Sequence, residues 1–496
     1  MCSGRVYLLV QGVDIGNEFL TLSNGTGDFR SSGTASWAGP ITLTGDVDIN
    51  VFGGTFTNSG VISGSGGFTK LNTGKLVLTG SSANTYSGST FVNQGIVELA
   101  KPGTVAIPGP LTIGDGLGGV NADIVRELNS FQIGNVPVTI NASGLLDLNG
   151  FTDTIGALVF NGGNADAGTG LLALGGNVTA NLSTNVISGV TGNLSLGGVL
   201  RTFDVANGQW LTVNGIISGS GGIFKNGLGL LDLYGTNTYS GLTTINAGTL
   251  VIRESLGLGT TAAGTVLAGG ELYILTPSPI GEPLTNTSAA SILFANSFST
   301  SLTSNLVLNA NLTASIFTTT LDLTGVISGI GGITKIGTGT LRYSGALANT
   351  YLGTTTVNAG TLELAKIVAN SALVNGLVIG DGIGGVNADV VRLQTTSQLA
   401  NTTTAVTVNS SGLFDLNNIS EIAGSLAGSG NVTLGTADIV INVGSDNSST
   451  VFSGVISEPG GLTKSGSGTM TLSGNNTYTS QTVITGGKLL VNGSQP

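Results

Sequence analysis

Two nearly identical Gly/Asp stretches hold the residues whose types and spacing best suit a chemical site. They begin Gly114-Asp-Gly-Leu-Gly-Gly119 and Gly380-Asp-Gly-Ile-Gly-Gly385. Aspartate and asparagine oxygens are hard ligands that suit calcium. The alternative is a tight turn in which aspartate accepts backbone N–H groups. Calcium is therefore a candidate ligand, and these are the residues that would hold it: Asp115, Asn121 and Asp123 in the first stretch, and Asp381, Asn387 and Asp389 in the second.

The same stretches match the G-x-G-x-x-G pattern of dinucleotide sites. Such a site needs a helix directly after the glycines, in a chain that alternates strands and helices. The surrounding sequence instead predicts short strands and Gly turns, and the best helix candidate, Ala122 to Leu128, is short. We therefore predict no organic cofactor.

Four lysines and four tyrosines recur with similar surroundings. The lysines could form a positive stripe for an anionic glycan, or could be solvated side chains that keep the chain soluble. The tyrosines could form a ladder for carbohydrate stacking, or could pack at a corner of the fold. Both readings stay open for these residues: Lys70, Lys225, Lys335 and Lys464, with Tyr86, Tyr239, Tyr351 and Tyr478.

Little in the sequence supports catalysis. The chain has no histidine, and its one cysteine, Cys2, excludes an internal disulfide and a thiolate zinc cluster. Asp46 and Asp48 alternate along one strand and could suggest a glycosidase, but no second acidic cluster follows in sequence. Asp123 with Arg126, and likewise Asp389 with Arg392, are expected to form local ion pairs. We assign no catalytic residue.

A repeated unit must position all of these residues. Its copies share Gly-Gly, Lys, and Asn-Thr-Tyr, and begin at Gly60, Gly215, Gly325 and Gly454. The spacing predicts an order A-B-A′-B′, with N-terminal turns over 1–59, A over 60–214, B over 215–324, A′ over 325–453 and B′ over 454–496. The remaining signature residues are these: Gly66, Gly67 and Asn84; Gly221, Gly222 and Asn237; Gly331, Gly332 and Asn349; Gly460, Gly461 and Asn476.

Each unit is a series of short apolar strands between Gly- and Asn-rich turns. Leu76-Val-Leu78 and Leu250-Val-Ile252 are examples. Strands this short bury a face only by stacking on the next turn, which is the solenoid arrangement. We predict an all-β solenoid that forms a single elongated rod, with the recurring asparagines at turns, either in left-handed geometry or bonding backbone across turns.

The repeated motif closely resembles the autotransporter-associated β-strand repeat, also called the passenger-associated transport repeat. The resemblance rests on Gly60-Val-Ile-Ser-Gly-Ser-Gly-Gly67, Asn237-Thr-Tyr-Ser-Gly241 and Thr244-Ile-Asn-Ala-Gly-Thr-Leu250. It implies a right-handed parallel β-helix in a secreted or surface-bound bacterial protein, where the repeat is tied to passenger export and folding. It also implies a signal segment and a C-terminal membrane barrel in full-length relatives. Neither is visible in this sequence, so we expect a fragment of a longer product.

The composition limits the partners of this chain, and the family resemblance implies an extracellular role. With 26 acidic against 15 basic residues, the net charge of −11 disfavours nucleic acid. No stretch approaches the length of a membrane-spanning helix. We expect a bacterial cell-surface rod or adhesin whose partner is an extracellular glycan or matrix. The alternatives are a polysaccharide-acting lyase or hydrolase on the same fold, and a pure export module without a ligand.

Overall fold

The computed structural model describes residues 7–23, 28–181, 187–369, 372–400 and 402–495. Cys2 lies outside these ranges. The described residues form 56 strands and no helix, so none of their segments is a candidate membrane-spanning helix. The chain divides into two compact units, which we call unit 1 (Met1–Thr243 with Gly248–Leu250) and unit 2 (Thr244–Ala247 with Val251–Pro496).

The strands that lie entirely in unit 1 are β1 Tyr7–Gln11, β2 Asp14–Ile15, β3 Leu20–Leu22, β4 Asp28–Ser32, β5 Thr34–Trp37, β6 Ile41–Leu43, β7 Val47–Val51, β8 Thr55–Asn58, β9 Ile62–Gly64, β10 Phe68–Leu71, β11 Lys75–Leu78, β12 Thr90–Val92, β13 Gly95–Leu99, β14 Leu111–Ile113, β15 Asp123–Glu127, β16 Val138–Asn141, β17 Gly144–Asp147, β18 Thr152–Ile155, β19 Leu158–Asn161, β20 Asn164–Leu174, β21 Val178–Ala180, β22 Ile187–Ser195, β23 Arg201–Val205, β24 Trp210–Val213, β25 Ile217–Ser218, β26 Ile223–Asn226 and β27 Leu230–Leu233.

The boundary between the units falls within β28 Thr243–Ile245 and β29 Thr249–Ile252. The strands of unit 2 are β30 Thr265–Leu267, β31 Glu271–Ile274, β32 Leu284–Asn286, β33 Ile292–Ala295, β34 Thr300–Leu302, β35 Leu306–Leu308, β36 Leu312–Ile316, β37 Thr320–Leu323, β38 Ile327–Gly329, β39 Ile333–Ile336, β40 Thr340–Tyr343, β41 Thr355–Val357, β42 Gly360–Leu364, β43 Leu377–Ile379, β44 Asp389–Leu393, β45 Ala405–Val408, β46 Gly412–Asp415, β47 Glu421–Ala423, β48 Ser425–Gly428, β49 Asn431–Thr433, β50 Val440–Val443, β51 Thr450–Phe452, β52 Ile456–Ser457, β53 Gly461–Lys464, β54 Thr469–Leu472, β55 Thr482–Ile484 and β56 Lys488–Val491.

Within each unit, every turn of the chain lies on the previous one through parallel strand pairs. In unit 1, Lys75 of β11 pairs with Ile96 of β13, an advance of 96 − 75 = 21 residues. In unit 2, Thr340 of β40 pairs with Thr361 of β42, again 361 − 340 = 21 residues. Parallel strands that pair with strands one turn further along the chain define a β-solenoid. The predicted fold class is therefore confirmed.

The core comes from strict alternation along these short strands. In β11, Leu76 and Leu78 are buried, whereas Lys75 and Val77 are partly exposed. Side chains of successive strand residues point to opposite faces, so every second residue enters the interior. Each fully buried Leu or Ile contributes roughly 1.5–3 kcal/mol through the hydrophobic effect. Stacking many such rungs therefore replaces a single large core.

The helix candidate at Ala122 to Leu128 is wrong. Asp123–Glu127 forms strand β15, which pairs in parallel with β13 over its full length. Asp123, Val125 and Glu127 are buried, whereas Ile124 and Arg126 are partly exposed. This alternation has the period of a strand, and the stacked neighbours satisfy its backbone bonds.

The Gly-Gly signature serves the close approach of neighbouring turns. A Cβ atom at Gly66 would lie 2.1 Å from the carbonyl oxygen of Gly45, and one at Gly67 would lie 2.0 Å from that of Ser89. Neither glycine has a positive φ. These positions therefore require glycine because a side chain has no room between stacked turns.

Candidate functional site

The four repeat lysines are buried, so both surface readings of them are wrong. Their side chains lie inside the solenoid, with an exposed fraction of 1% or less: Lys70, Lys225, Lys335 and Lys464. Each sits on a strand whose first residue is also buried, such as Phe68 in β10. Because Lys70 is two residues after Phe68, strand alternation directs its side chain to the same interior face.

Each buried ammonium group is held by backbone carbonyl groups. Lys335 Nζ donates to the carbonyl oxygens of Ile336 (3.0 Å), Gly337 (2.6 Å) and Ala359 (3.0 Å). The first two belong to the turn after the lysine strand, and Ala359 belongs to the next turn of the solenoid. A longer contact of 3.5 Å reaches the carbonyl oxygen of Ile316 on the preceding turn. The ammonium therefore uses its N–H donors to connect consecutive turns of the solenoid.

The same geometry recurs in unit 1. Lys70 Nζ donates to the carbonyl oxygens of Leu71 (3.1 Å), Asn72 (2.6 Å) and Gln94 (2.9 Å). Burial lowers the pKa of Lys70 to about 8, although the nearby Asp123 carboxylate acts in the opposite direction. A group held in this way is a structural cation rather than a free positive charge for a ligand.

The signature asparagines bond backbone across turns, which is one of the two geometries expected for them. Asn84 accepts the N–H of Ile62 at its side-chain oxygen (2.9 Å) and donates to the carbonyl of Ala106 (2.7 Å). Thus one buried amide connects the turn before it to the turn after it. The other three accept the equivalent N–H groups: Asn237 from Ile217, Asn349 from Ile327 and Asn476 from Ile456.

The signature tyrosines are packed inside, so they offer no stacking surface to a carbohydrate. Tyr86 is buried against Phe68, with ring centroids 5.7 Å apart. Its hydroxyl lies 2.6 Å from the hydroxyl of Thr90. The same Tyr–Thr pair, four residues apart, recurs in the other repeats: Tyr239 with Thr243, Tyr351 with Thr355 and Tyr478 with Thr482.

The calcium candidates lie at one loop in each unit. Their carboxylate oxygens differ in whether they already accept a hydrogen bond. Asp115 accepts the N–H of Leu117 (2.8 Å), as the turn reading expects. Asp123 is buried, and its Oδ2 has no hydrogen-bond partner. Burial raises the pKa of Asp123, and the charge of Lys70 opposes that shift. The charge of the nearby Asp115 favours a cation here and that of Lys70 disfavours one, and calcium binding stays a prediction.

Unit 2 repeats this loop. Asp381 accepts the N–H of Ile383 (2.8 Å), and Asp389 Oδ2 is buried without a partner. Asn121 and Asn387 both have positive φ, at 58° and 60°, which marks them as turn residues. Within the part of the chain that the structure describes, no three acidic, His or Cys side chains are grouped closely enough to bind a metal ion.

The expected local ion pairs are wrong, because the arginines bond to the following turn. Arg126 Nε donates to Asp147 Oδ2 (2.7 Å), and Arg392 Nε donates to Asp415 Oδ2 (2.7 Å). Asp123 points inward while Arg126 points outward, since they are three residues apart on a strand. Outward charges of opposite sign therefore face each other on adjacent rungs and help to fix register.

A second pair of buried lysines was missed by the sequence analysis. Lys101 Nζ donates to the carbonyls of Thr79 (2.7 Å) and Ser82 (3.0 Å), while its backbone exchanges two hydrogen bonds with the amide of Gln132. Lys366 and Gln398 form the same backbone–amide exchange in unit 2. The signal was present in the sequence, because the A and A′ stretches repeat both residues at nearly equal spacing.

One buried ionisable residue does not recur. Glu127 is fully buried at the end of β15, and neither carboxyl oxygen has a hydrogen-bond partner. Burial, with the nearby carboxyl of Asp153 as a second cause, raises the pKa of Glu127 to about 11. The equivalent residue of β44 is Leu393. Glu127 is therefore a neutral acid inside the core.

The segments that carry this repeated hydrogen-bond network also match a known family. Four segments match the family model of the passenger-associated transport repeat: residues 68–99, 223–252, 333–364 and 462–491. The chain carries four passenger-associated transport repeats. The resemblance inferred from the motif is thus confirmed. Lys70, Tyr86 and the Gln94 carbonyl all lie within the first matched segment, so the ammonium contacts are internal to the repeat.

One relative extends the comparison beyond the repeats. Over 287 residues the chain is 29% identical to the Adhesin BmaC autotransporter of Brucella suis. The matched region is 54% of this chain and 7% of that protein, so the chain spans less than a tenth of the relative. No solved structure matches the chain.

Proposed function

We propose that this chain is part of the surface-exposed passenger of a bacterial autotransporter adhesin, in which it serves as a non-enzymatic β-solenoid. The observation that carries the proposal is the presence of four transport repeats within one stacked fold. The similarity to an autotransporter adhesin supports the same role. Its partner would be an extracellular glycan or matrix component.

The placement of charged residues supports a non-enzymatic role. The repeat lysines are enclosed by backbone carbonyls, and Arg126 and Arg392 are paired across turns. Asp46, one of the two candidate glycosidase carboxylates, accepts the N–H of Gly67 (2.7 Å). Catalysis on a polysaccharide requires two available carboxyl groups at a defined separation. The recurring charged groups serve the stacking of turns instead.

A surface-display experiment tests adhesion. The full chain would be fused to a heterologous outer-membrane anchor on a non-adherent laboratory bacterium. We expect binding to host cells or extracellular matrix above the level of the anchor alone. Equal binding by the two strains would contradict the adhesin role. Release of reducing sugar or unsaturated product from plant, algal or host polysaccharides by the purified chain would support the enzymatic alternative.

We further propose that the repeats support export by allowing the passenger to fold turn by turn. Because the ammonium contacts of Lys70 lie within its own turn and the next one, this repeat gains those contacts as soon as the following turn arrives. Replacing Lys70 with Met in the displayed chain should lower the amount of protease-resistant passenger at the surface. An unchanged amount would argue against a folding role for the repeat.

A further inference from the structure

A polar groove crosses several turns of unit 1, outside the transport repeats. It has a volume of about 400 Å³. The lining residues include the hydroxyl-bearing Thr152, Thr169 and Ser218, the amide-bearing Asn193, and the apolar Leu171 and Ile216. Asn193 donates to the carbonyl of Gly170 (3.2 Å) and Ser218 donates to that of Leu194 (3.4 Å), so these two side chains offer a ligand their acceptor oxygens. The groove therefore lies between the first and second matched segments, where the repeat signature does not determine the sequence.

A local irregularity of the sheet forms this groove. Strand β20 pairs with β22 in two registers, and the shift between them falls between Asp166 and Leu171. Gly168 within this shift has a φ of 56°, and a Cβ atom at Gly170 would lie 1.8 Å from the carbonyl oxygen of Phe151. Bulges of this kind redirect side chains and are common at binding sites. Here the register shift coincides with a close approach of Gly170 to Phe151 on the neighbouring turn, beside the groove.

Phe131 lies on the turn beside this groove in a strained conformation. Its φ is 60°, a region that bulky residues rarely adopt. Its N–H donates to the carbonyl of Thr152 (2.9 Å), a groove residue, and its side chain is 56% exposed. Strain of this kind persists where the surroundings enforce it, and it is concentrated at functional sites. A large apolar side chain is here both exposed to solvent and held in a strained backbone conformation, which is an unusual combination.

Unit 2 contains a groove at the equivalent position of its sequence. Leu148-Asn-Gly-Phe-Thr-Asp153 of unit 1 corresponds to Leu416-Asn-Asn-Ile-Ser-Glu421 of unit 2. The unit 2 groove measures about 310 Å³ and is lined by Ser397, Ser420 and Asn442 among others. Ser397 corresponds to Phe131 and shares its positive φ, at 54°. Phe131 lies next to the unit 1 groove rather than among its lining residues: its N–H bonds to the lining residue Thr152, and its equivalence to Ser397 places it on the corresponding turn.

We propose that the unit 1 groove binds a neutral oligosaccharide, with the ring of Phe131 packing against one sugar face. This inference deepens the proposed adhesin function and rests on it. Sugar hydroxyls bond to hydroxyl and amide groups, while the C–H face of a sugar ring packs on apolar and aromatic side chains. The groove offers both kinds of surface within a length of several stacked turns.

The uncharged lining and the paired strands beside the groove disfavour two other classes of ligand. The residues that line the unit 1 groove are all uncharged. A phosphorylated or sulfated ligand would lack a cationic partner, in a chain whose net charge is −11. A peptide strand would require an open sheet edge for its backbone, whereas the strands β20 and β22 beside the groove are already paired on both sides.

Two glycine variants test the proposal. Phe131→Gly removes the ring and also relieves the strained φ, so the fold is retained. Ser397→Gly is the matched control, because it relieves the same strain in unit 2 without removing a ring. The probes are chitotetraose, cellotetraose and lacto-N-tetraose, with a hyaluronan tetrasaccharide and an extended Ser/Gly peptide as comparisons. Binding to the full chain would be measured by saturation-transfer NMR and titration calorimetry.

We expect at least one neutral tetrasaccharide to bind, with affinity reduced about tenfold or more in Phe131→Gly and by less than about twofold in Ser397→Gly. Both variants should keep the wild-type melting temperature or exceed it. Equal binding by wild type and Phe131→Gly would overturn the proposal, as would binding of only the anionic sugar or the peptide.

A bead-adhesion assay separates this inference from the adhesin proposal. If wild-type-coated beads adhere to cells but no neutral sugar binds the chain, the groove assignment fails and the adhesin role survives. If a neutral sugar binds through Phe131 but coated beads do not adhere, the groove assignment stands and the adhesin role fails.

Discussion

A buried lysine in each repeat connects successive turns through hydrogen bonds to their backbone carbonyls. The Lys335 ammonium has three N–H donors and makes its three shortest contacts to two carbonyls of its own turn and one of the next, with a longer contact to Ile316 on the preceding turn. Parallel strand ladders satisfy the backbone within the sheets, but the carbonyls of the connecting turns point away from those ladders. A long flexible side chain with several donors satisfies these carbonyls from the inside.

Replacing Lys335 with Met should destabilise the protein more than replacing an exposed lysine. Met keeps the length and apolar stem of the side chain but leaves three carbonyl oxygens without their donor. Loss of buried hydrogen bonds to a charged group costs about 3 kcal/mol or more in total. The measurement is urea denaturation followed by far-ultraviolet circular dichroism. Lys488→Met, at an exposed position of unit 2, is the control and should change stability by less than about 0.5 kcal/mol. Equal effects of the two changes would contradict the structural role.

Glu127→Leu should stabilise unit 1. The unfolded carboxyl ionises near its ordinary pKa of 4.5, whereas burial raises the folded pKa to about 11. A raised folded pKa gives stability that is complete below pH 4.5 and declines as the pH rises. The advantage of Leu should therefore grow by about 1.4 kcal/mol per pH unit between pH 5 and 8. Both tryptophans, Trp37 and Trp210, lie in unit 1, so their fluorescence in urea reports this unit.

The reciprocal change supplies the control for Glu127. Leu393→Glu places a carboxyl at the equivalent position of β44 and should lower the stability of unit 2, with a cost that increases with pH. A pH-independent effect of either substitution would mean that the buried carboxyl finds a partner and remains ionised.

The interior position of these groups could have been read from strand alternation. Phe68, Thr69 and Lys70 alternate between the inner and outer faces, and the pattern already placed Lys70 with Phe68. The prior expectation that lysine is exposed outweighed that pattern, because charged residues are rarely buried without a partner. The partner here is backbone, and sequence composition does not show where carbonyl groups will point. For the same reason, the burial of Lys101 and Lys366 was not predicted.

At the scale of elements, the Gly-Asp-Gly loop combines signs of a turn with signs of a site. Asp115 is used in the turn, as its bond to the N–H of Leu117 shows, whereas Asp123 Oδ2 lacks a partner. The short strands were predictable from turn residues and period. The partner of each Asp and Arg was not predictable, because a rung pairs residues 18 or more positions apart.

Calcium should change the melting temperature of the chain by less than about 1 °C. The nearby ammonium of Lys70 opposes a divalent ion beside Asp123, and Asp115 already bonds to the loop backbone. A ligand present at 100 times its dissociation constant would stabilise the folded chain by about 2.7 kcal/mol, which a melt would detect. Melts in millimolar calcium and in chelator make the comparison. A calcium-dependent rise that disappears in Asp123→Asn and Asp389→Asn would establish the site that the sequence suggested.

Over the whole molecule, the buried lysines should give a stability that rises at alkaline pH. Burial lowers the pKa of Lys70, Lys101, Lys225, Lys335 and Lys366 from 10.5 to about 8. The unfolded chain then binds more protons than the folded chain between pH 8 and 10.5, so the free energy of unfolding increases across that window and is lost as the pH falls through 8. Above pH 10 the buried tyrosines act oppositely, because burial raises their pKa while unfolded tyrosines ionise. We therefore expect a maximum near pH 10.

Urea denaturation from pH 7 to 11 tests this profile, in a Glu127→Leu background that removes the opposing carboxyl. Lys335→Met should show a shallower rise than its parent when circular dichroism follows the transition, since it lacks one of the titrating amines. Lys488→Met should keep the parental slope. A steady fall in stability from pH 8 upward would mean that the carbonyl contacts hold the ammonium groups more strongly than burial opposes them. In that case the folded lysines would keep their protons to a higher pH than the unfolded ones, and deprotonation would destabilise the fold.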